Sequence, residues 1–263
     1  MPTMTTKHAQ GTFVWPELGT SDLAGARKFY TALFGWTVQE FPMGEGQTYL
    51  IFKLDGHEAG AAYQLVKEQS DKGVPPHWAA YIAVEDCDAT AAKIKAAGGQ
   101  VMMGPSDVMG TLGRMAACMD PTGASFCLWQ AKDHLGVRVL DEPGALCWTE
   151  LMTKDTARAK AFYTSVIGWK TQGMPMGDTD YTVWLKADGK NAGGMMAITP
   201  QMGPVPPHWM SYFRVANIQD AVKRAAAMGA KIVVPIQPVP GVGQFATLHD
   251  PQHAHFSLLQ SGS

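Results

Sequence analysis

The sequence lacks the features by which several large classes of protein are recognised. Its net charge is only −2, its pI is near 6.4 and it has no basic run, so nothing favours nucleic acid as a partner. No stretch approaches the roughly 18 apolar residues of a membrane-spanning helix. The polar N-terminal segment also lacks the apolar core of a secretory signal. These absences predict a cytoplasmic protein that binds neither nucleic acid nor membrane.

Cysteine pairs and common catalytic motifs are also missing. The chain has no P-loop, no GxGxxG after a strand, no HExxH and no GxSxG motif. CxxC spacing is absent among its four cysteines, which we expect to be reduced and buried: Cys87, Cys118, Cys127 and Cys147. Nucleotide binding, zinc-protease chemistry and serine-hydrolase chemistry therefore have no support in the sequence.

What the sequence does contain is a long internal repeat. Residues 15–39 and 148–172 share their Trp, Glu, Asp, Phe-Tyr and Gly-Trp positions, and VPPHW occurs at both 74–78 and 205–209. A word with two prolines, a histidine and a tryptophan does not recur by chance. The chain is therefore predicted to be a duplicated domain.

The repeat also sets the expected domain boundaries. With 263 residues, of which 46% are apolar, the chain can form two cores of ordinary size. We expect a first domain over 10–130 and a second over 145–261. Between them, the charged, glycine- and proline-containing segment 131–144 is predicted to be a linker.

Each copy has a finer period of one strand, one helix and three strands. Asp22 is predicted to cap the N-terminus of the first helix and Gly35 to end it. Three short strand-like runs follow, and the same order begins again at His77. The predicted fold is α+β, with four βαβββ modules.

The pattern D-x-x-x-A-x-x-FY-x-x-x-x-GW in the first helix, with DPxG before the last strand, resembles the vicinal oxygen chelate superfamily. That superfamily includes glyoxalase I, bleomycin- and fosfomycin-resistance proteins and extradiol dioxygenases. The resemblance implies two tandem glyoxalase/bleomycin-resistance-type domains whose mixed sheets curl into bowls. It also implies that one chain does what single-domain relatives do by dimerising, so we expect a monomer or a homodimer.

In enzymes of this superfamily a divalent metal lies at the base of the bowl. The resemblance assigns the metal ligands to the first and last strands of each module. The position on the fourth strand falls near Gly60 in the first copy and near Gly194 in the second. The other positions carry Trp15, Ala79 and Cys127 in the first copy, and Trp148, Met210 and Ser257 in the second. Tryptophan, alanine and methionine do not form a site for a hard metal ion, so the simplest expectation is no cofactor.

Candidate polar residues stand two positions away and therefore share the same strand face. Glu17 and His77 are predicted to face the first bowl, and Glu150, His208 and His255 the second. The last three are ligand types that suit Zn, Fe, Mn or Ni, and both glutamates are candidate catalytic groups. Two structural alternatives remain for His77 and His208: each closes a turn after Pro-Pro, or pairs with the glutamate of its own copy.

Further side chains are expected to line the bowls and contact a ligand. Alternation places aromatic residues and a cysteine on the bowl faces, and an arginine is expected at each bowl, as an anchor for an anionic ligand in the first. The alternatives are that the aromatic residues fill the bowl as core and that the arginines are solvated charges. Besides the histidines, these ligand-binding candidates are Trp15, Tyr81, Arg114, Cys127 and Trp129, and Trp148, Tyr212 and Arg214.

Three functions are compatible with the sequence. The favoured one is a protein that binds a small organic molecule in aromatic-lined bowls without a metal. The alternative is a divalent-metal-dependent glyoxalase-like lyase or isomerase, hydroxylase or dioxygenase that uses Glu150, His208 and His255. In the third, one copy is degenerate and only supports the other.

Overall fold

The computed structural model describes residues 6–44, 46–176 and 179–262. The chain forms two open eight-stranded mixed sheets, one from each copy of the repeat. The strands of the first sheet are β1 (Phe13–Thr20), β2 (Thr37–Gly44), β3 (Gln47–Leu54), β4 (His57–Gln64), β5 (His77–Ala83), β6 (Gln100–Val108), β7 (Gly113–Met119) and β8 (Ser125–Ala131). Those of the second are β9 (Leu146–Thr153), β10 (Lys170–Met176), β11 (Thr179–Leu185), β12 (Asn191–Ala197), β13 (His208–Arg214), β14 (Lys231–Val239), β15 (Gly243–His249) and β16 (His255–Ser261).

The strand order is the same in both sheets and confirms the four βαβββ modules. The first runs β2-β3-β4-β1-β5-β8-β7-β6 and the second β10-β11-β12-β9-β13-β16-β15-β14. The first strands of two modules pair antiparallel at the centre, and each pairs parallel with the last strand of its own module. The residues at the middle of each sheet therefore come from both modules of one copy.

The helices are α1 (Leu23–Phe34), α2 (Lys67–Asp71), α3 (Cys87–Ala96), α4 (Thr156–Val166) and α5 (Ile218–Ala227), with a 3-10 turn at Pro200–Met202. All except the short α2, which has no buried residue, lie against one face of each sheet. As predicted, the Asp22 carboxylate accepts the Gly25 N–H at 2.9 Å, and α1 ends at Gly35, whose φ of 72° is favourable for glycine. Among the described residues no helix is long and apolar enough to cross a membrane.

The two copies share their hydrophobic cores. In one core, α1 and its strands pack against Phe213, α5 and the last strands of the second copy. In the other, α3 and Phe126 pack against α4 and the first strands of the second copy. The link is reciprocal. Tyr30 of α1 donates its O–H to Asp250 at 2.8 Å, and Tyr163 of α4 donates to Asp120 at 2.9 Å.

This reciprocity explains the recurring motif. Tyrosines of the Phe-Tyr pairs bind the Asp-Pro turn of the opposite copy, and the Gly-Trp tryptophans donate across copies too, Trp36 to Gly144 O at 2.8 Å and Trp169 to Gly11 O at 3.0 Å. These aromatic residues pack each helix on its sheet. They also join the copies.

VPPHW is repeated for a related reason. Its tryptophan points to the helix side, where Trp78 donates to the Tyr30 oxygen at 3.0 Å and Trp209 to the Tyr163 oxygen at 2.9 Å. Each word therefore leads into a central strand whose tryptophan completes a tyrosine–aspartate contact between the copies.

The segment after β8 packs on the first sheet. The Val137 N–H donates to Val14 O and the Arg138 N–H to Glu58 O, both at 2.8 Å, and Val137 is fully buried. The His134 ring stands edge-on to the Trp15 ring, with centroids 4.6 Å apart. We call residues 132–140 the strap, because they cross one end of the first bowl.

Candidate functional site

The face of the first sheet opposite its helices carries a hydrogen-bonded cluster around Glu17. One carboxylate oxygen accepts the O–H of Tyr49 at 2.6 Å, and the other accepts the O–H of Tyr81 at 2.8 Å. The Trp15 indole N–H donates to the Tyr49 oxygen at 3.0 Å. We call this face the first bowl; at its floor, both oxygens of Glu17 are held by protein donors.

The second copy repeats the cluster around Glu150. Tyr181 and Tyr212 donate to the two carboxylate oxygens at 2.7 Å and 3.0 Å. Trp148 donates to the Tyr181 oxygen at 2.8 Å. We call this face the second bowl. The same four residue types in the same arrangement mark the Trp–Tyr–Glu–Tyr cluster as the common element of the two sites.

Burial governs the proton affinity of both glutamates. Removal from water raises the pKa of Glu17 and of Glu150 above the ordinary carboxyl value, because it disfavours the charged form. The tyrosine hydrogen bonds act in the opposite direction, since they stabilise the carboxylate. The pKa values of Tyr81 and Tyr212 are raised in turn, by burial and by the neighbouring carboxylate.

The walls around the two glutamates differ in size. In the register, Glu17 lies opposite Ala79, and Glu150 opposite Met210. Ala117, beside Cys127, corresponds to Thr247 beside Ser257. Glu17 is half-buried, whereas Glu150 is only 6% exposed. The first bowl therefore leaves its floor carboxylate more accessible.

Strand register places most of the predicted ligand-binding residues on the bowl faces, since directly paired residues share a face. Tyr81 is opposite Trp15 and also beside Cys127, and Trp129 is beside Ala83. In the second copy Tyr212 is opposite Trp148, and Arg214 is beside Leu259. Whether these side chains bind a ligand stays a prediction.

Arg114 is an exception, and its placement at the first bowl was wrong. In the register Arg114 pairs with Gln130, while the adjacent Met115 pairs with the bowl-facing Trp129. Its guanidinium forms ion pairs with Asp88 of α3 at 2.6 Å and with Asp107 at 3.2 Å. The arginine therefore lies on the helix face, where two carboxylates hold it.

The predicted metal set is not brought together. Among the described residues no three His, Cys, Asp or Glu side chains are grouped so that they could hold a metal ion. Glu150 is engaged by its two tyrosines, and His208 lies two pairs further along, opposite Met152. The His255 ring lies 6.0 Å from the His208 ring, between centroids, and packs more closely against His249, with centroids 3.8 Å apart.

The histidines of VPPHW close turns, as one alternative proposed. His77 Nδ1 is 2.8 Å from Pro75 O, and His208 Nδ1 is 2.8 Å from Pro206 O. Neither histidine is hydrogen-bonded to the glutamate of its copy, so the predicted Glu–His pairing is wrong. Tyrosine O–H groups satisfy those carboxylates instead.

Several residues at the superfamily's metal positions have no group that can bind a metal ion. The Trp15 and Trp148 indoles have no lone pair to offer a cation, and both donate to a tyrosine. Gly60 and Gly194 have no side chain, and a Cβ on Gly194 would lie 1.8 Å from the Tyr181 oxygen. These residues do not fit the superfamily metal, so no chemical step is derived through one.

Three tyrosines of the bowls were not identified from the sequence as site residues. Neither Tyr49 nor Tyr181 was assigned to a bowl. Both stand in the third strand of their copies, so alignment of the repeat could have found them. Tyr63, whose oxygen accepts from Gln69 at 3.3 Å, lies opposite Gly19 and has Met196 as its counterpart, so the repeat gives no signal for it.

Comparison with known proteins agrees with the duplicated fold. The family described as Glyoxalase/Bleomycin resistance protein/Dioxygenase superfamily matches residues 12–128 and again 133–258. The chain therefore belongs to this superfamily, with one family unit in each copy.

Individual relatives span the whole chain. A Mycobacterium tuberculosis protein named "Putative glyoxylase CFP32" is 42% identical over 255 residues, covering 97% of this chain and 96% of its own. The anthracycline biosynthesis protein DnrV of Streptomyces peucetius is 33% identical over 266 residues, covering 97% and 95%. Among solved structures, the Mn(II)-bound glyoxalase from Novosphingobium aromaticivorans has a TM-score of 0.66 at 15% identity, covering 95% of this chain and 82% of that one. At that identity the likeness shows the fold alone.

Proposed function

We propose that the protein binds a flat, largely apolar organic molecule in the first bowl, above Glu17, and does so without a metal. The observation that carries the proposal is the cluster at the bowl floor. Both Glu17 oxygens accept tyrosine O–H groups, so the floor presents fixed hydrogen-bonding groups in place of metal ligands.

The surroundings of Glu17 suit such a molecule. Ala79 and Ala117 leave space above Glu17, while the half-buried Tyr49 supplies aromatic surface. Pockets with mostly apolar walls and a few fixed polar groups are typical of small-molecule sites. A ligand hydroxyl or carbonyl above the floor can exchange hydrogen bonds with Tyr49, Tyr81 or the half-buried carboxylate.

Two relatives support the same ligand class. Proteins 33% and 34% identical to this chain are named as anthracycline biosynthesis proteins. Anthracyclines contain a planar fused-ring system with hydroxyl and carbonyl groups at its edges. We therefore take a hydroxylated polycyclic aromatic compound as the first ligand to test.

The test is calorimetric titration of the protein with quinizarin, a neutral dihydroxyanthraquinone, in the presence of EDTA. We expect saturable binding at one site. Ala79→Met gives the first bowl the residue of the second and should weaken binding about tenfold or more, because the longer side chain fills the space above Glu17.

Lys93→Met on α3 is the matched control, since it adds the same side chain at an exposed helix position. Binding should be unchanged in this variant. Binding that survives Ala79→Met, or that requires added Zn, Mn or Ni, would contradict the proposal.

A second candidate function is proton transfer on the bound molecule, with Glu17 as a general acid or base. The raised pKa of Glu17, caused by burial, favours this role, because it brings the carboxyl group closer to neutral pH. Mass spectrometry of quinizarin incubated with the protein in deuterated water would detect this conversion as uptake of deuterium at ring carbon. Glu17→Gln should abolish conversion while retaining binding; no conversion by the parent protein leaves the binding function alone.

A further inference from the structure

One end of the second bowl is more open than the same end of the first. Five first-bowl residues at the strap are buried, and each of their five counterparts in the second bowl is half-buried. The buried residues are Val14, Trp15, Ala83, Met115 and Trp129, and their counterparts are, in the same order, Cys147, Trp148, Arg214, Phe245 and Leu259.

Two differences in structure account for this opening. In the first bowl the strap covers Trp15 and accepts the Trp129 indole N–H at His134 O, 3.0 Å away. Within the described ranges no segment repeats these contacts on Trp148, whose indole N–H bonds only Tyr181. In addition, Leu259 takes the place of the larger Trp129.

The opening contains an incompletely paired cation. Arg214 occupies the position of Ala83, and its buried Nε has no hydrogen-bond partner. Its Nη2 donates to Asp141, a carboxylate whose side chain is 68% exposed. An ion pair with so exposed a partner contributes little, so a ligand anion can compete with it.

Aromatic side chains share the sheet face of this cation, since Tyr212 stands two residues before Arg214 in β13. Tyr212 pairs with Trp148 across the central strands, and the rings of Tyr212 and Phe245 are 6.2 Å apart. A guanidinium with an unpaired donor, on the same strand face as aromatic side chains, matches a carboxylate attached to a flat apolar body.

We propose that the open end of the second bowl is a separate site for an aromatic carboxylic acid, which Arg214 binds through the carboxylate. The site goes beyond the proposed function: it lies in the other copy, it requires a negative charge, and it does not involve Glu17. The two bowls of one chain then select ligands of different charge.

The experiment compares two probes of the same shape, 2-naphthoate and its neutral amide 2-naphthamide, by calorimetric titration of the full chain. We expect naphthoate to bind about tenfold or more tightly than the amide, the difference that one charged hydrogen-bonding contact makes. Arg214→Ala, which copies the residue of the first bowl, should remove this preference. Asp141→Asn should strengthen naphthoate binding several-fold, because it removes the competing carboxylate.

Arg158→Ala on α4 is the control for net charge, since Arg158 is exposed and on another element. The preference should persist in it. Arg214→Ala should fold, because it leaves only an exposed carboxylate without its partner; thermal unfolding of each variant checks this.

Equal binding of the two probes, or an unchanged preference in Arg214→Ala or Asp141→Asn, would overturn the second site. Naphthoate binding that is lost in Ala79→Met but kept in Arg214→Ala would place the acid in the first bowl. That result also overturns the inference, while it leaves the proposed function standing. Conversely, failure of quinizarin to bind does not affect the naphthoate comparison.

Discussion

The reciprocal tyrosine–aspartate contacts are predicted to hold the two copies together, and Tyr163→Phe tests this. The Tyr163 O–H donates to Asp120 at 2.9 Å, and its oxygen accepts the Trp209 indole N–H at 2.9 Å. Asp120 is only 2% exposed, so neither partner finds water after the substitution. A buried polar group without a partner costs about 1–3 kcal/mol.

The expected loss in the free energy of unfolding is therefore about 3 kcal/mol. This loss is smaller than the largest cost expected for two unpaired groups, Asp120 and Trp209, because the other Asp120 oxygen keeps its hydrogen bonds from Thr122 and Ala124. Tyr30→Phe should cost a similar amount. The double variant should be additive within about 0.5 kcal/mol, because the two tyrosines belong to separate cores.

Urea denaturation followed by tryptophan fluorescence and circular dichroism measures these changes. Tyr63→Phe is the control, since its half-buried O–H has one long bond from Gln69, and it should cost less than about 1 kcal/mol. The shared cores also predict one unfolding transition for both copies. A loss below 1 kcal/mol in Tyr163→Phe, or two separate transitions in the parent protein, would refute the reasoning.

Three other outcomes follow from the site geometry. Gly194→Ala should destabilise the protein by about 1–3 kcal/mol in urea unfolding, because a Cβ there meets the Tyr181 oxygen. Gly173→Ala is the control and should not destabilise the protein, because its Cβ meets nothing within 4 Å. Equal effects of the two substitutions would contradict the packing argument. Burial raises the pKa of Glu150 above its ordinary value of roughly 4.3. Between these two pKa values the folded protein binds more protons than the unfolded chain, so its free energy of unfolding falls as the pH rises through that window. Glu150→Gln removes this term, so its stability relative to the parent should improve with pH across the same window, and a constant difference would disprove the burial effect. Finally, burial raises the thiol pKa of Cys87, Cys118 and Cys147 to about 12 and also raises that of Cys127. Cys147 is half-buried and not buried as expected, so Ellman's reagent should react slowly with it in the native protein and with the other three thiols only after denaturation.

The duplication and the modules could be predicted from the sequence because they depend on local signals. Asp22 and Gly35 define a helix by their own backbone chemistry, and alternation along β1 and β5 puts Glu17 and Tyr81 on one face. Arg114 was placed wrongly because its face depends on the register of β7 against β8, which the sequence does not contain.

Contacts between distant segments could not be predicted. The pairing of Tyr30 with Asp250 joins residues from opposite copies, and no local pattern relates them. Similarly, the charge, glycine and proline in the strap are typical of a linker, although Val137 within it is fully buried. Of the tyrosines that donate to Glu17 and Glu150, Tyr81 and Tyr212 were placed on the bowl faces, but Tyr49 and Tyr181, which come from the third strand of each copy, were not.

The strap has a consequence for how two like domains come to differ. In a dimer of identical chains every substitution appears in both bowls, so the bowls stay equivalent. Here the peptide that connects the copies lies over Trp15, and a single connection cannot lie over Trp148 as well. Joining the copies therefore makes the two bowls unequal even where their side chains are the same. The contrast between Ala83 and Arg214 adds a side-chain difference to the difference that the connecting peptide creates.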